Sequence, residues 1–196
     1  MSTIAQGRLS LSHTLCFMFS GKAGTGKTHS SEIAQKLCNN AGLSTFRAPL
    51  AKGVKDTARF MGWDGEKDRR GRILLQKIGA IGRDYDKDMW VRAAFRSIEE
   101  SVGYPYDAVF IDDWRFTNEL EFIQREQLLY KPVLIRLEAP DREILSGTPE
   151  YNDISETGLD NFPFSDSALL SNYDGYKGYF MELDRIVVDA IRKVSN

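Results

Sequence analysis

The stretch Gly21-Lys22-Ala23-Gly24-Thr25-Gly26-Lys27-Thr28 satisfies the pattern G-x-x-x-x-G-K-[ST]. An apolar run, Leu15 to Phe19, precedes it, and Ile33, Ala34, Leu37 and Ala41 recur behind it at helical spacing until Gly42 supplies a stop. Between a strand and a helix, such a loop turns the backbone N–H groups of residues 22 to 27 toward phosphate oxygens, helped by the positive end of the helix dipole. Lys27 would then reach the β and γ phosphates of a nucleoside triphosphate, and Thr28 would coordinate Mg2+. The competing reading is a flexible glycine-rich turn.

A second acidic feature is the run AVFIDD, which ends in Asp112 and Asp113. It reads as the carboxyl end of a central strand, where open α/β sheets bind ligands, and an aspartate there supports Mg2+ through its water shell. Thr28 and Asp113 are the expected metal pair; the alternative for Asp113 is a cap on the next helix. Trp114 follows instead of a water-activating glutamate, and no N-K-x-D guanine signature occurs. Both absences favour phosphoryl transfer over hydrolysis or switching.

A third feature lies in RILLQKIGAIGR. At about 100° per residue, Arg72, Gln76, Gly79 and Arg83 fall on one stripe, with Leu74, Leu75, Ile78 and Ile81 on the opposing side. Glycine costs about 1 kcal/mol relative to alanine inside a helix, so Gly79 and Gly82 predict that something approaches this backbone closely. The alternative is a solvated basic face on a loosely packed helix. Lys67, Arg69 and Arg70, just before it, read as solvated.

The elements that must position these groups alternate strand and helix, which predicts an α/β fold with a mainly parallel sheet covered on both faces. Strands are expected at Leu15–Phe19, Ser44–Phe46, Ala108–Ile111, Val133–Leu137 and Ala168–Ser171. Amphipathic helices are expected around Trp90–Ile98 and Tyr179–Ile191. Residues 50 to 103 exceed a crossover helix and read as a helical insertion, while residues 147 to 167 lack apolar periodicity and read as a lid. With 196 residues, 42% of them hydrophobic, one domain spanning 1–196 is the economical reading. A net charge of −2 gives no overall electrostatic reason to bind nucleic acid or an anionic membrane. Leu15 to Phe19 is too short to span a bilayer, and the polar start lacks a signal peptide's layout. Cys16 and Cys38 lack metal-ligand spacing and read as buried, reduced thiols of a cytoplasmic protein.

Taken in order, FSGKAGTGKT, APLAKGVKDTARFMGWDGEKDRRGRILLQKIGAIGRDYDKDMW, VFIDDWRFTNELEFI and ISETGLD resemble the successive motifs of phage-type deoxynucleoside monophosphate kinases, within the P-loop nucleoside monophosphate kinase group. The resemblance covers most of residues 15 to 175. It implies a three-layer P-loop NTPase fold with a mainly parallel five-stranded sheet, a helical monophosphate-binding insertion at about 50–103 and a lid at about 138–167. It further implies ATP and Mg2+, transfer of the γ-phosphate to a deoxynucleoside monophosphate to give the diphosphate, a homodimer, and the host cytoplasm for a phage-encoded protein. By position, Asp113, Arg115, Phe116, Asn118 and Glu119 match the block D-x-R-F-x-N-E, with Arg115 expected on a phosphate. Gln76, Gly79 and Arg83 match L-Q-x-x-G-x-x-x-R, and Trp90 the downstream tryptophan; with Arg72 and Lys52 these would surround the acceptor. Gly21, Lys22, Ala23, Gly24, Thr25, Gly26, Lys27 and Thr28 would hold ATP.

The pattern is departed from in two places. Glu138 and Ala139 stand where relatives often carry another arginine, leaving Arg142 as the candidate lid cation beside the catalytic Lys27 and Arg115. Asp153 stands where a histidine is expected before Ser155 and Glu156. Asn172, with Tyr173, Asp174 and Gly175, reads either as an adenine contact or as an ordinary turn. Two other functions fit the P-loop: a kinase of another small metabolite, with Asp112 or Asp113 as base, and a non-catalytic ATP-binding regulator.

Overall fold

In chain order the elements are β1 (Thr14–Ser20), α1 (Lys27–Asn40), β2 (Thr45–Arg47), α2 (Lys52–Phe60), α3 (Arg69–Tyr85), α4 (Met89–Glu99), β3 (Ala108–Ile111), α5 (Thr117–Glu126), β4 (Tyr130–Glu138), α6 (Ile154–Thr157), β5 (Ala168–Ser171) and α7 (Tyr176–Val194). They are seen in a computed structural model that describes residues 11–139, 145, 147–164, 168–171 and 176–195. The sheet order is β2-β3-β1-β4-β5, and every neighbouring pair is parallel.

β1 lies at the centre and is apolar on both faces, so its alternating side chains serve two layers. Leu15, Phe17 and Phe19 pack with Ala34 and Cys38 of α1 and with Leu183, Val187 and Ala190 of α7. Cys16 and Met18 pack with Val91, Phe95 and Ile98 of α4, with Leu120 and Ile123 of α5, and with Trp114. This is the three-layer α/β fold that the alternation of elements predicts. Full burial of each such large side chain contributes about 1.5–3 kcal/mol. Both cysteines are free and buried, and burial pushes the Cys38 thiol up to about 12, which makes it inert. No helix among the described residues is long and apolar enough to cross a membrane.

Parallel register sets what meets at the carboxyl ends of the strands. Met18 pairs with Ile111 and Ser20 with Arg136, so the turn after β1, the aspartates after β3 and the end of β4 lie side by side. β2 runs one residue later than its apolar pattern suggests. β4 extends back to Tyr130, where pairing with β1 overrides the weak local propensity of Tyr-Lys-Pro.

The region 50–103 holds α2, α3 and α4, but α4 belongs to the sheet layer. The part that stands apart is α2 with α3, which share a small core of Val54, Ala58 and Ile78 backed by Trp63, Leu74, Leu75 and Trp90. Ile81, grouped by phase with these apolar residues, is instead 69% exposed. α2 has 9 residues against 17 in α3, too few to cover the whole stripe. Of the two α3 glycines singled out by sequence, Gly82 is approached by the indole of Trp90, whereas a Cβ on Gly79 would meet the Arg83 guanidinium, with Nη1 at 3.1 Å. A Cβ on Gly82 would lie 2.4 Å from Trp90 Cζ2, and one on Gly53 would lie 3.0 Å from Trp90 Cε3. Trp90 Nε1 also donates to the Gly79 carbonyl at 3.0 Å. The ring is therefore wedged between α2 and α3 and fixed in its plane.

The segment read as a lid contains a 3-10 turn, Pro149–Asn152, and α6. Elements of four residues show no periodicity, which is why the sequence there looks structureless. Its far end is anchored: Leu159 is buried, and the rings of Phe162 and Phe164 lie 5.2 and 5.8 Å from that of Trp114.

Replacing Gly82 by alanine forces Trp90 or α3 to shift, and the expected cost is about 1–3 kcal/mol. Urea unfolding followed by tryptophan fluorescence measures this; an unchanged midpoint and slope would show that Trp90 is not wedged as described.

Candidate active site

The turn after β1 is built by backbone conformations that side chains rarely permit. Gly21, Gly24 and Gly26 take φ of 143°, 87° and 91°. At Gly21 a Cβ would also lie 2.5 Å from the Leu137 carbonyl oxygen, so glycine is required twice over. The turn closes around Lys27, whose Nζ donates to the carbonyls of Gly21 (2.6 Å) and Lys22 (2.7 Å). Burial, followed by the positive charge of Arg115, lowers Lys27 to about 7. One backbone amide of the turn, that of Ala23, donates to Glu156 Oε2 at 2.8 Å.

The acidic partner of Thr28 is Asp112, which corrects the expected Thr28–Asp113 pair. Thr28 Oγ1 donates to Asp112 Oδ2 at 2.7 Å, and Arg47 Nη2 reaches the same oxygen at 2.5 Å. Burial would raise the Asp112 carboxyl, but the hydrogen bonds from Arg47 and Thr28 hold it below the usual carboxylate range. Asp113 instead accepts from the backbone N–H groups of Leu50 (2.8 Å) and Ala51 (3.0 Å) and so ties down the start of α2. It serves a helix start, as the capping alternative holds, but that of α2 rather than α5. The register explains the exchange: Asp112 directly follows the residue paired with Met18, so it lies beside the turn.

Arg72, Gln76, Arg83, Trp90, Asp113 and Arg115 line one cleft of about 200 Å3. Arg83 lies 4.2 Å over the Phe116 ring, which forms a second aromatic wall with Trp90. Below them Glu119 accepts from the backbone N–H groups of Arg115 (2.9 Å) and Phe116 (3.1 Å), and burial raises its carboxyl to about 7. Asn118 is turned away and ties Lys87 and Asp88 to α5.

Lys52 is not among the residues lining the cleft; its Nζ pairs with Asp56 at 2.6 Å. Lys55 takes its place. At about 100° per residue it lies next to the buried Val54, whereas Lys52 lies about 200° away. Lys67 is exposed, as its solvated reading has it, yet it also lines the cleft, where desolvation and the charges of Lys55 and Arg72 lower its pKa. No periodic signal marks it, because it sits in the connection before α3. Among the described residues, Lys55, Lys67 and Arg72 form no ion pair, in contrast to Lys52, Arg59, Arg125 and Arg185.

A second cavity, of about 420 Å3, opens at the turn itself, between Lys22, Thr25, Arg136, Tyr151 and Asp160. Arg136 Nη2 bonds Asp160 Oδ1 at 2.8 Å, and Lys22 Nζ bonds Asp160 Oδ2 at 2.7 Å. Glu138 and Ala139 line this cavity too. Asp153, where a histidine was expected, accepts from Ser155 N–H at 2.8 Å and starts α6. Arg142 and Asn172 lie outside the described residues. The sequence also missed Arg47 and Glu156, whose partners are 65 and 133 positions away in the chain.

No family model matches the chain. It is 34% identical over 144 residues to Uncharacterized protein ORF77 of Ictalurid herpesvirus 1 (strain Auburn), covering 74% of this chain and 58% of that protein. It is 25% identical over 184 residues to Uncharacterized protein ORF76 of the same virus, covering 90% of this chain and 67% of that protein. The chain thus spans less than two thirds of the first relative. Among solved structures, a gluconokinase from Sinorhizobium meliloti 1021 superposes with a TM-score of 0.48 at 10% identity, over 93% of this chain and 95% of that one. A thymidylate kinase from Ehrlichia chaffeensis does so with a TM-score of 0.39 at 12% identity, over 92% and 98%. Similarity at this level assigns neither family nor activity.

A polyphosphate reaching Lys27 would restore its charge, since the anion favours the protonated amine. Near pH 8 the free protein holds Lys27 largely neutral, so binding of tripolyphosphate should take up close to one proton, and near pH 6 almost none. Calorimetry in buffers of different ionisation enthalpy reads this directly. Uptake that persists in Lys27→Met would refute the assignment.

Proposed function

We propose that the chain transfers the γ-phosphoryl group of ATP to the phosphate of a deoxynucleoside 5′-monophosphate. The observation that carries this reading is the set of cations without carboxylate partners, Lys55, Lys67 and Arg72, in a cleft that Arg115 and Glu156 join to the phosphate-type turn. Positive charge gathered at a concave site without direct ion pairs favours occupation by an anion. The same cleft offers two aromatic walls, Trp90 and Phe116, and the amide of Gln76, which suit a planar base that also carries hydrogen-bonding groups.

Transfer between two phosphates needs alignment and charge neutralisation more than a base. Lys27 and Arg115 lie where the two would meet, and Lys55, Lys67 and Arg72 would hold the acceptor. The larger cavity beside Lys22 and Tyr151 would take the rest of the donor. Against a hydroxyl acceptor stands Asp113, whose two oxygens are already committed to Leu50 and Ala51. The Thr28 hydroxyl and Asp112 carboxylate, in contact at 2.7 Å, are hard oxygen donors that suit Mg2+, directly or through water. When bound, Mg2+ would neutralise charge on the phosphate oxygens.

Coupled assays with ATP and each common NMP and dNMP should show ADP formation that requires an acceptor, and Lys27→Ala should abolish it. Hydrolysis that ignores the acceptor would sink the reading. The double change Lys55→Met with Lys67→Met should raise the acceptor KM about ten-fold or more and leave the ATP KM within about two-fold. Asp112→Asn should raise the Mg2+ needed for half-maximal rate, whereas Asp113→Asn should not.

A further inference from the structure

Ser155 and Glu156 lie between the cleft and the turn, and beyond joining the two, Glu156 has so far been given no part in the transfer. The Glu156 side chain is buried, and its two carboxylate oxygens are shared between different parts of the fold. Oε2 accepts from the Ala23 N–H of the turn at 2.8 Å, and Oε1 accepts from Arg115 Nη1 at 2.5 Å. The main chain repeats the pattern: the Ser155 carbonyl accepts from the same Arg115 nitrogen, and the Glu156 carbonyl accepts from Lys22 Nζ at 3.1 Å. Behind them Gly158 abuts Arg115 closely, since a Cβ there would lie 2.8 Å from the Arg115 carbonyl oxygen. Leu159, Phe162 and Phe164 then fix the segment to Trp114, the residue before Arg115 in the chain.

We propose that Glu156 is a positioning residue that registers the Arg115 guanidinium against the phosphate-binding turn. The inference rests on the phosphotransferase reading of the site. One carboxylate spans the gap between a donor on the turn and a donor on the cleft side, and its charge is neutralised by Arg115, so it is held by strong, charge-assisted bonds. Engaging Nη1 leaves Nη2 and Nε of Arg115, which have no partner among the described residues, as donors for a phosphate in the cleft. Glutamine keeps the volume but offers a single side-chain acceptor, so Ala23 and Arg115 cannot both be satisfied.

The test compares the wild type with Glu156→Gln and Glu156→Asp on the best acceptor. Loss of alignment that matters only in the transition state should lower kcat about ten-fold or more in Glu156→Gln, with both KM values within about three-fold, and less severely in Glu156→Asp. An activity-free readout accompanies it: nitrogen-15 spectra of the Arg115 side chain should show hindered guanidinium rotation in the wild type and free rotation in Glu156→Gln. Wild-type kcat in Glu156→Gln, a raised KM at constant kcat, or free rotation of Arg115 in the wild type would each overturn the proposal. If the wild type transfers phosphoryl groups to no nucleotide, the phosphotransferase reading fails, and the spectra still decide whether Glu156 holds Arg115. Should Glu156→Gln fail to fold, the wild-type spectrum and the Glu156→Asp kinetics decide.

Discussion

Positive charge is concentrated around one turn of backbone at the end of the central strand, and the surrounding structure has to make that tolerable. Lys27 sits in the turn, where burial first and then the charges of Arg115 and Arg136 disfavour its positive charge. At the effective dielectric of about 20 that suits such sites, like charges a few Å apart cost several kcal/mol. The fold answers with carboxylates delivered by other segments. Glu156 takes Arg115, Asp160 takes both Lys22 and Arg136, and Asp112 takes Arg47 beside Thr28. Glu156 and Asp112 are buried and Asp160 is exposed, but all three are multiply bonded, so each both compensates charge and fixes geometry.

The division of labour among the layers follows from this. The parallel sheet supplies rigidity, and its register brings the turn, Asp112 and Arg136 to a common edge. The α2–α3 pair supplies a wall of the cleft, and Trp90 sets its distance from the sheet because glycines at 53 and 82 let the indole sink between the helices. Residues 153–164 close the remaining side, with polar contacts at one end and aromatic packing on Trp114 at the other. Two cavities result, one lined by Lys22 and Thr25 of the turn and the other by Arg115 and Asp113, and the α6 segment contributes to both.

The cleft and the turn differ in how their charge is balanced. Around the turn nearly every cation has an internal partner, whereas Lys55, Lys67 and Arg72 in the cleft have none among the described residues. The turn is thus preorganised by the protein itself, whereas these three cleft cations are left without ion pairs among the described residues. That asymmetry is what the proposed acceptor site would use to select an anion.

Local signals settled a good deal. The glycine spacing before Lys27, the uninterrupted apolar run Leu15–Phe19 and the alternation of strand and helix are encoded within a few residues. They are enough to specify a glycine-rich turn between a strand and a helix of a three-layer α/β fold. The helical stripe Arg72, Gln76, Arg83 was legible for the same reason, since a 3.6-residue period is a local property. What sequence alone could not resolve was the choice between near neighbours: it pairs Thr28 with Asp113 where Asp112 lies, puts Lys52 in the cleft where Lys55 lies, and leaves unnamed what approaches the glycines, which at Gly82 is Trp90. These depend on strand register and on how far one helix covers another, and they shift by one residue or one turn without altering the pattern. The role of Glu156 was beyond reach altogether, because its partners at Ala23 and Arg115 become neighbours only when the chain closes on itself, and no local period records a contact of that separation.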